Sequence, residues 1–298
     1  MITKKIGFIG CGNMGGAILD GALASGILTK EQVYAYDIVE PAMTKLKERD
    51  VNVMSSNQEV CVNSDIILLC TKPQNAEEAV TSCGNTLNGK ALLSIEAGVT
   101  LERLTSMIDG PARLLRIMPN TAAMDCEGAS AFCSETGLTE AEKQIACELF
   151  ESIGIVEWVP EKLIDTVCGL SGGGPAYAAM FIEALSDGAV KNGLPRATAY
   201  RLAAQTCLGT AKMILETDIH PGALKDMVTS PGGTTIAGVK ALEAGGMRAA
   251  VIYCIDVATA KSSQLKLAPV MPKSDCLLVH HFLGKPFQPF YSIPQKKF

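Results

Sequence analysis

Histidine is scarce in this chain of 298 residues, which contains three: His220, His280 and His281. A histidine-based catalytic triad or a histidine-rich metal site is therefore poorly supported.

Positive charge is not in excess either, because 26 Lys and Arg against 31 Asp and Glu leave a net charge of −5. That balance gives no electrostatic reason to bind DNA or RNA. No apolar run reaches the roughly 18 uncharged residues that a membrane span needs. We expect no metal, no nucleic acid and no membrane among the partners.

The 11 cysteines are an odd number and form no CxxC pair. Most lie in apolar runs, as Cys70 does after Ile66–Leu69, which favours buried thiols in a reducing compartment over a disulfide framework. The first residues run directly into an apolar strand, without the apolar core and cleavage site of a signal peptide. The sequence predicts a cytoplasmic protein.

Short apolar runs alternate with helical patterns in the first half of the chain. The candidate strands are Lys5–Ile9, Val33–Tyr36, Asp65–Cys70, Ala91–Ile95, Leu114–Met118, Ala129–Cys133 and Val156–Val159. The helical patterns between them include Gly15–Ser25, Pro41–Asp50 and Glu140–Ile153. This alternation is typical of βαβ units and a mainly parallel sheet. We predict an α/β fold, with a Rossmann-type doubly wound sheet in residues 1–163.

Strand-like runs stop after about Leu163, and long helical patterns follow. They cover Pro175–Asn192, Arg196–Thr217, Pro221–Val228, Thr234–Ala244 and Met247–Leu265. Many are apolar on more than one face and must be buried, yet a domain of about 100 residues has little interior. We infer that residues 164–265 pack against a partner chain; burial against the first domain alone is the alternative. Residues 266–298 show no clear period and are predicted to be an extended tail.

A glycine-rich loop, Gly10-Cys11-Gly12-Asn13-Met14-Gly15, follows the first apolar strand and opens a helical pattern. It fits G-x-G-x-x-G, in which the glycines allow a tight turn, close approach of the backbone to a pyrophosphate, and close helix–strand packing. The phosphates would then meet the N–H groups at the helix start. We predict that all six residues bind a dinucleotide; a sterically required turn without a ligand is the alternative.

The second strand ends at Asp37, 22 residues after the last motif glycine. An acidic residue there accepts hydrogen bonds from the adenosine ribose, and its charge repels a 2′-phosphate. Asp37 therefore favours NADH over NADPH, unless it is an ordinary turn aspartate. Three later strands are followed by small or polar residues that would line the same crevice: Cys70–Pro73, Ile95–Gly98 and Arg116–Thr121.

Two later segments, Gly169–Tyr177 and His220–Ile236, resemble pyrroline-5-carboxylate reductases. Lys72-Pro73, Ala97–Thr100 and Met118–Thr121 agree with this resemblance, which runs from about residue 4 to residue 265. It implies NAD(P)H-dependent reduction of 1-pyrroline-5-carboxylate to L-proline, the final step of proline biosynthesis, by hydride transfer to the imine carbon. It also implies an all-α C-terminal dimerisation domain, with dimers assembled into larger rings, commonly decamers.

The resemblance also implies the site residues. The Pro-Gly-Gly-x-Thr loop would hold the substrate through Ser230, Gly232, Gly233, Thr234 and Thr235, with the Thr235 hydroxyl acting on the ring nitrogen as the catalytic group. Cofactor contacts beyond the glycine loop and Asp37 would come from Asn57, Thr71, Lys72, Pro73, Ala97 and Asn120. Structural roles remain open, since Thr235 is a first-turn helix residue, Asn57 a turn former and Lys72 a strand-end lysine. Glu96 departs from the family, which usually has a small residue there.

The residue inventory suits an imine substrate. A protonated imine is already a strong electrophile, whereas a ketone needs a Lys or His to stabilise its developing alkoxide. A hydroxyacid dehydrogenase is the nearest alternative, but it needs a lysine that Ser171–Tyr177 lacks. A dinucleotide-binding sensor is the non-enzymatic alternative, and it would not need the Pro231–Thr235 loop.

Overall fold

The N-terminal part of the chain folds around one sheet of eight strands. The computed structural model describes residues 2–266. The tail predicted for residues 266–298 therefore lies outside the described residues, apart from Lys266. The strands are β1 (Ile6–Ile9), β2 (Val33–Tyr36), β3 (Asn52–Val53), β4 (Ile66–Leu69), β5 (Ala91–Ser94), β6 (Arg113–Met118), β7 (Gly128–Cys133) and β8 (Gly154–Val159). Their order is β3-β2-β1-β4-β5-β6-β7-β8. The first six are parallel, β7 runs antiparallel to β6, and β8 runs parallel to β7.

The strand order confirms the predicted doubly wound fold, because β3-β2-β1-β4-β5-β6 is the order of a dinucleotide-binding sheet. Every residue of β1, β4 and β5 is buried, as expected for parallel strands covered on both faces. This explains why they appear in the sequence as continuous apolar runs. The seven predicted strands are all present, whereas β3 was missed because its two residues carry no apolar run.

Helices cover the sheet, and from Ile164 to Lys266 the chain is mostly helical. The sheet-associated helices are α1 (Asn13–Ala24), α2 (Glu40–Glu48), α3 (Asn57–Asn63), α4 (Ala76–Thr81), α5 (Leu101–Met107) and α6 (Glu140–Glu151). The later helices are α7 (Ile164–Val167), α8 (Gly174–Lys191), α9 (Arg196–Thr217), α10 (Pro221–Met227), α11 (Thr234–Ala244) and α12 (Met247–Lys266), with a π-helical segment at Cys168–Gly172 before α8. The five late helical patterns were predicted, while the short α3, α4 and α5 were not.

Two hydrophobic clusters lie on opposite faces of the sheet. Ile6 and Phe8 of β1 belong to one cluster with Phe150 of α6, whereas Ile9 of the same strand belongs to the other with Leu104 of α5. This alternation follows from the period of two along a strand. Packing on both faces therefore fixes the carboxyl ends of β1, β4 and β5, which lie side by side in register.

A buried ion pair links the middle of the sheet to the start of the helical region. The Arg116 side chain on β6 is 2% exposed, and its Nη1 donates to Glu161 Oε1 at 3.2 Å. The same carboxylate oxygen accepts a 2.8 Å hydrogen bond from Leu101 N, the first residue of α5. Glu161 thus joins β6, α5 and the segment that enters α7.

The late helices expose large apolar side chains in the single chain. Met180 of α8, Leu215 of α9 and Ile252 of α12 are 69%, 66% and 65% exposed. An extended exposed apolar surface marks an interaction surface, in agreement with the inference that this half packs against a partner chain.

No helix within residues 2–266 is long and apolar enough to cross a membrane. The domain boundary at residue 163 stays a prediction.

Candidate active site

A crevice of about 460 Å³ opens at the carboxyl ends of β1, β2 and β4. This is the place where a doubly wound sheet binds its ligand, and the volume is ordinary for a ligand site. Six of the predicted cofactor residues line it: Gly10, Gly12, Asp37, Asn57, Thr71 and Lys72. The structure thus brings together residues that are far apart in the sequence.

The three motif glycines differ in what they permit. Gly10 has a φ of +85°, and a Cβ on it would lie 2.9 Å from the Cys70 carbonyl oxygen. A Cβ on Gly15 would lie 2.4 Å from the Gly10 carbonyl oxygen. A Cβ on Gly12 would meet no protein atom within 4 Å. Gly10 and Gly15 are therefore required by the fold, whereas the open space above Gly12 is available to a ligand.

The glycine loop ends at the N-terminus of α1, where backbone donors are free. The first hydrogen bond into the helix runs from Gly16 N to Gly12 O at 2.8 Å. The N–H groups of Asn13, Met14 and Gly15 precede it and have no partner within the helix. Free N–H groups at a helix start suit the phosphates of a dinucleotide.

The side chains of Cys11, Asn13 and Met14 in the loop do not line the crevice. The Met14 side chain packs against the core cluster, so its backbone alone can reach a phosphate. Cys11 and Asn13 line a second cavity of about 410 Å³, which shares Gly12 and Val39 with the crevice. Burial, and then the neighbouring Asp37, raises the pKa of the Cys11 thiol to about 12. Cys11 is therefore a neutral packing residue.

Asp37 holds the glycine loop in place. Its Oδ2 accepts a 2.7 Å hydrogen bond from Cys11 N, and its Oδ1 accepts a 2.8 Å hydrogen bond from Val39 N. A carboxylate oxygen can accept two hydrogen bonds, so each oxygen keeps acceptor capacity for a ribose hydroxyl. The sequence did not predict the bond to Cys11.

Thr71 and Lys72 follow β4 and line the crevice, and Pro73 begins the short 3₁₀ turn behind them. The Thr71 hydroxyl donates to the Glu96 carboxylate, beyond the end of β5. Glu96 is buried, and its desolvation raises the pKa of the carboxyl to about 8 despite hydrogen bonds from Thr71 and Ser94. Ala97, next to it, is half-buried and does not line the crevice.

The two predicted asparagines outside the glycine loop both make structural hydrogen bonds. Asn57, at the start of α3, lines the crevice and donates from Nδ2 to Ser82 Oγ at 2.9 Å. Asn120 accepts from Ala129 N at 3.1 Å and donates to Ser171 O at 3.1 Å. Asn120 therefore ties β6 and β7 to the π-helical segment, and its cofactor contact stays a prediction.

The predicted substrate loop, residues 230–235, lies at the start of α11. Gly232 has a φ of +71°, and Gly233 N donates to Ser230 O at 3.0 Å to close the turn. No side chain caps α11 at Gly233, so the N–H groups of Thr234 and Thr235 have no partner within the helix. Both threonines are exposed. These donors can bind a carboxylate.

Within one chain the loop and the crevice remain apart, because none of residues 230–235 lines the crevice.

The role of His220 is structural, because it caps α10 by accepting a 3.1 Å hydrogen bond from Gly222 N. Among residues 2–266, no three His, Cys, Asp or Glu side chains are grouped to hold a metal ion.

The sequence did not indicate four polar residues that line the crevice: Ser56, Asn75, Glu78 and Ser82. They lie on α3 and around α4, whose short patterns gave no signal.

Comparison with known proteins agrees with this arrangement. The family model for pyrroline-5-carboxylate reductase dimerisation matches residues 161–265, and one for F420-dependent NADP oxidoreductases matches residues 5–98. The chain is 43% identical to a pyrroline-5-carboxylate reductase of Methanosarcina acetivorans, with 89% of this chain and 99% of the relative covered. It is 44% identical to the Escherichia coli enzyme of that name, with the same coverage.

Solved structures extend the similarity to the fold. A pyrroline-5-carboxylate reductase from Coxiella burnetii aligns with a TM-score of 0.84 at 31% identity, over 89% of this chain and 99% of that chain. A pyrroline carboxylate reductase from Plasmodium falciparum, solved with NADP bound, aligns with a TM-score of 0.79 at 33% identity over the same shares. With the identity above 40% across nearly whole relatives, the chain belongs to the pyrroline-5-carboxylate reductase family.

Proposed function

We propose that the chain reduces 1-pyrroline-5-carboxylate to L-proline, the final step of proline biosynthesis. The observation that carries this proposal is the Pro-Gly-Gly-x-Thr turn, which presents free N–H groups and two exposed threonine hydroxyls at the start of α11. A dinucleotide-binding sensor would have no use for such a turn.

The residues of the chain suit each part of this reaction. Bound NAD(P)H supplies the hydride that is transferred to the imine carbon. Gly12, the N-terminus of α1 and Asp37 offer the space, donors and acceptor that a dinucleotide needs. The Ser230 hydroxyl and the free N–H groups of Thr234 and Thr235, presented by the Gly232-Gly233 turn, would hold the substrate carboxylate. The Thr235 hydroxyl would bind the ring nitrogen, so the main contribution of the chain is to position the ring.

Replacing Thr235 by Ala is expected to lower kcat/KM for pyrroline-5-carboxylate about 10- to 100-fold, the value of one hydrogen bond to a charged group. Thr235→Ser keeps the hydroxyl and should recover most of the activity. The assay is oxidation of NADH and NADPH in parallel, with the substrate varied at saturating cofactor.

Thr105→Ala is the matched control, because Thr105 is an exposed helical threonine whose hydroxyl donates to Leu101 O within α5. Its kinetics should equal those of the wild type. Activity of Thr235→Ala within twofold of the wild type would exclude contact between this hydroxyl and the substrate. A wild-type protein that binds both cofactors but oxidises neither would overturn the proposed reaction.

We further propose that the chain prefers NADH, because a carboxylate after the second strand of such a sheet accepts hydrogen bonds from the adenosine ribose and repels a 2′-phosphate. Juxtaposed like charges cost several kcal/mol, so Asp37→Asn should lower the ratio of kcat/KM with NADH to that with NADPH by at least about tenfold. Asp65→Asn is the control, since this exposed aspartate accepts from Lys5 N at the opposite end of β1. An unchanged ratio in Asp37→Asn would contradict the role of this carboxylate.

We also propose a cytoplasmic homo-oligomer, in which dimers assemble into decamers. The dimerisation match at residues 161–265 and the exposed apolar side chains of α8, α9 and α12 support dimerisation by a domain covering residues 164–265. Since the substrate loop is exposed and separate from the crevice in one chain, we propose that this assembly brings the two halves of the site together.

A further inference from the structure

We propose that Glu96 acts as a charge sensor for the dinucleotide, so that the chain binds the oxidised cofactor progressively more tightly than the reduced one as the pH rises. This inference rests on the proposed dinucleotide site. Its basis is a buried carboxyl group that lies directly behind the crevice wall, beyond the end of β5, whereas Asp37 follows β2.

Glu96 is connected to the crevice through one side chain. The Thr71 hydroxyl, which lies in the crevice wall, donates to Glu96 Oε1, and Ser94 Oγ lies 3.4 Å from Oε2. Glu96 is 2% exposed. A charge at this position is therefore shielded from water and close to whatever occupies the adjacent part of the crevice.

The sheet order determines which part of a dinucleotide that is. A doubly wound sheet binds the two halves of a dinucleotide on either side of the strand-order reversal. Asp37, at the end of β2, is on the adenosine side. Thr71 and Glu96, beyond β4 and β5 on the other side of β1, are therefore on the nicotinamide side. The nicotinamide ring is positively charged when oxidised and neutral when reduced.

The groups around Glu96 leave its charge uncompensated. Among residues 2–266 it forms no ion pair with a Lys, Arg or His side chain. Burial keeps the pKa of the nearby Cys70 thiol well above its usual value, and Cys11 behind it has a pKa of about 12. Arg116, on the neighbouring strand β6, pairs with Glu161 instead.

Burial therefore makes Glu96 a group behind the crevice wall that changes charge between pH 6 and pH 9, with a pKa of about 8. An opposite charge within about 4–6 Å lowers a carboxyl pKa by about 1–3. Binding of the oxidised ring should therefore expel a proton from Glu96. By linkage, if binding lowers the pKa of Glu96 by 1, the oxidised cofactor binds about tenfold more tightly at a pH above both the free and the bound pKa than at a pH below both. The neutral reduced ring has no such effect.

The test is to measure dissociation constants of NAD⁺ and NADH for the full chain between pH 6 and pH 9. These cofactors are used because the 2′-phosphate of NADP⁺ itself titrates near pH 6. We expect NAD⁺ to bind about tenfold more tightly at pH 9 than at pH 6, with NADH constant within about twofold. Calorimetry in two buffers of different protonation enthalpy should show release of about 0.4–0.9 proton per NAD⁺ at pH 7.

Glu96→Gln keeps the shape and an acceptor for Thr71 but cannot ionise, so both the pH dependence and the proton release should disappear. Glu102→Gln, which removes an exposed carboxylate from α5, should behave as the wild type. Equal pH dependence for NAD⁺ and NADH, or its persistence in Glu96→Gln, would overturn this inference while leaving the dinucleotide site intact. If Glu96→Gln does not fold, proton release by the wild type decides, and its absence overturns the inference. A wild type that binds neither cofactor would overturn the proposed site as well.

Discussion

Replacing Gly12 by Ala should weaken dinucleotide binding about 10- to 100-fold, because one extra methyl group in a close-packed contact costs about 1–3 kcal/mol. The protein itself should not be affected. A Cβ on Gly12 meets no protein atom within 4 Å, and φ there is −67°. The methyl group would instead occupy the open space beside the free N–H groups of α1. Loss of binding without loss of stability would place the pyrophosphate at this turn.

Binding is best measured by the fluorescence of NADH, and stability by thermal unfolding without cofactor. Gly15→Ala is the contrasting variant, since its Cβ would lie 2.4 Å from the Gly10 carbonyl oxygen and would force the backbone to move. It should lower the melting temperature as well as the affinity. Gly12→Ala binding NADH as tightly as the wild type would show that no ligand approaches this backbone.

Removing the carboxylate of Glu161 should destabilise the fold by about 3–5 kcal/mol, the cost of leaving a buried charge without its partner. Arg116 has 2% of its side chain exposed and cannot turn to water. Leu101 N would lose its acceptor at the same time. The variant is Glu161→Ala, and urea unfolding at fixed protein concentration gives the change, because stability of an oligomer depends on concentration.

Glu157→Ala is the matched control, as Glu157 is exposed on β8, and surface changes of this kind usually stay within about 0.5 kcal/mol. The double variant Arg116→Met/Glu161→Gln should recover part of the lost stability, because it removes the unpaired charge. A Glu161→Ala protein as stable as the wild type would mean that water reaches the Arg116 guanidinium.

Sequence periodicity predicted the elements that follow their own local pattern. The strands β1, β4 and β5 are continuous apolar runs because both faces of the sheet are covered. Helices α8, α9, α11 and α12 have 18, 22, 11 and 20 residues, which is long enough for their period to show. The strand β3 has two residues, and its pairing with Tyr34 and Ala35 of β2 decides its conformation. No local signal records that pairing.

The site shows the same division between local and long-range information. The glycine loop could be placed because its motif is contiguous and follows a strand. The hydrogen bonds from Cys11 to Asp37 and from Thr71 to Glu96 join residues 26 and 25 positions apart, and only the sheet order brings them together. The sequence identified Glu96 as unusual but could not show that it is buried beside a crevice residue.

The hydrogen bond between Asp37 and Cys11 limits how this enzyme can change its cofactor, in evolution or by design. A residue that only recognised the ribose could be exchanged in one step. Asp37 also accepts backbone hydrogen bonds from Cys11 and Val39, so a small residue that admits a 2′-phosphate leaves two amide donors without their acceptor. The intermediate would bind both cofactors poorly, and a second change that restores those contacts would have to come first or at the same time. Under the NADH preference proposed above, recruitment of NADPH is therefore a coupled, two-residue change.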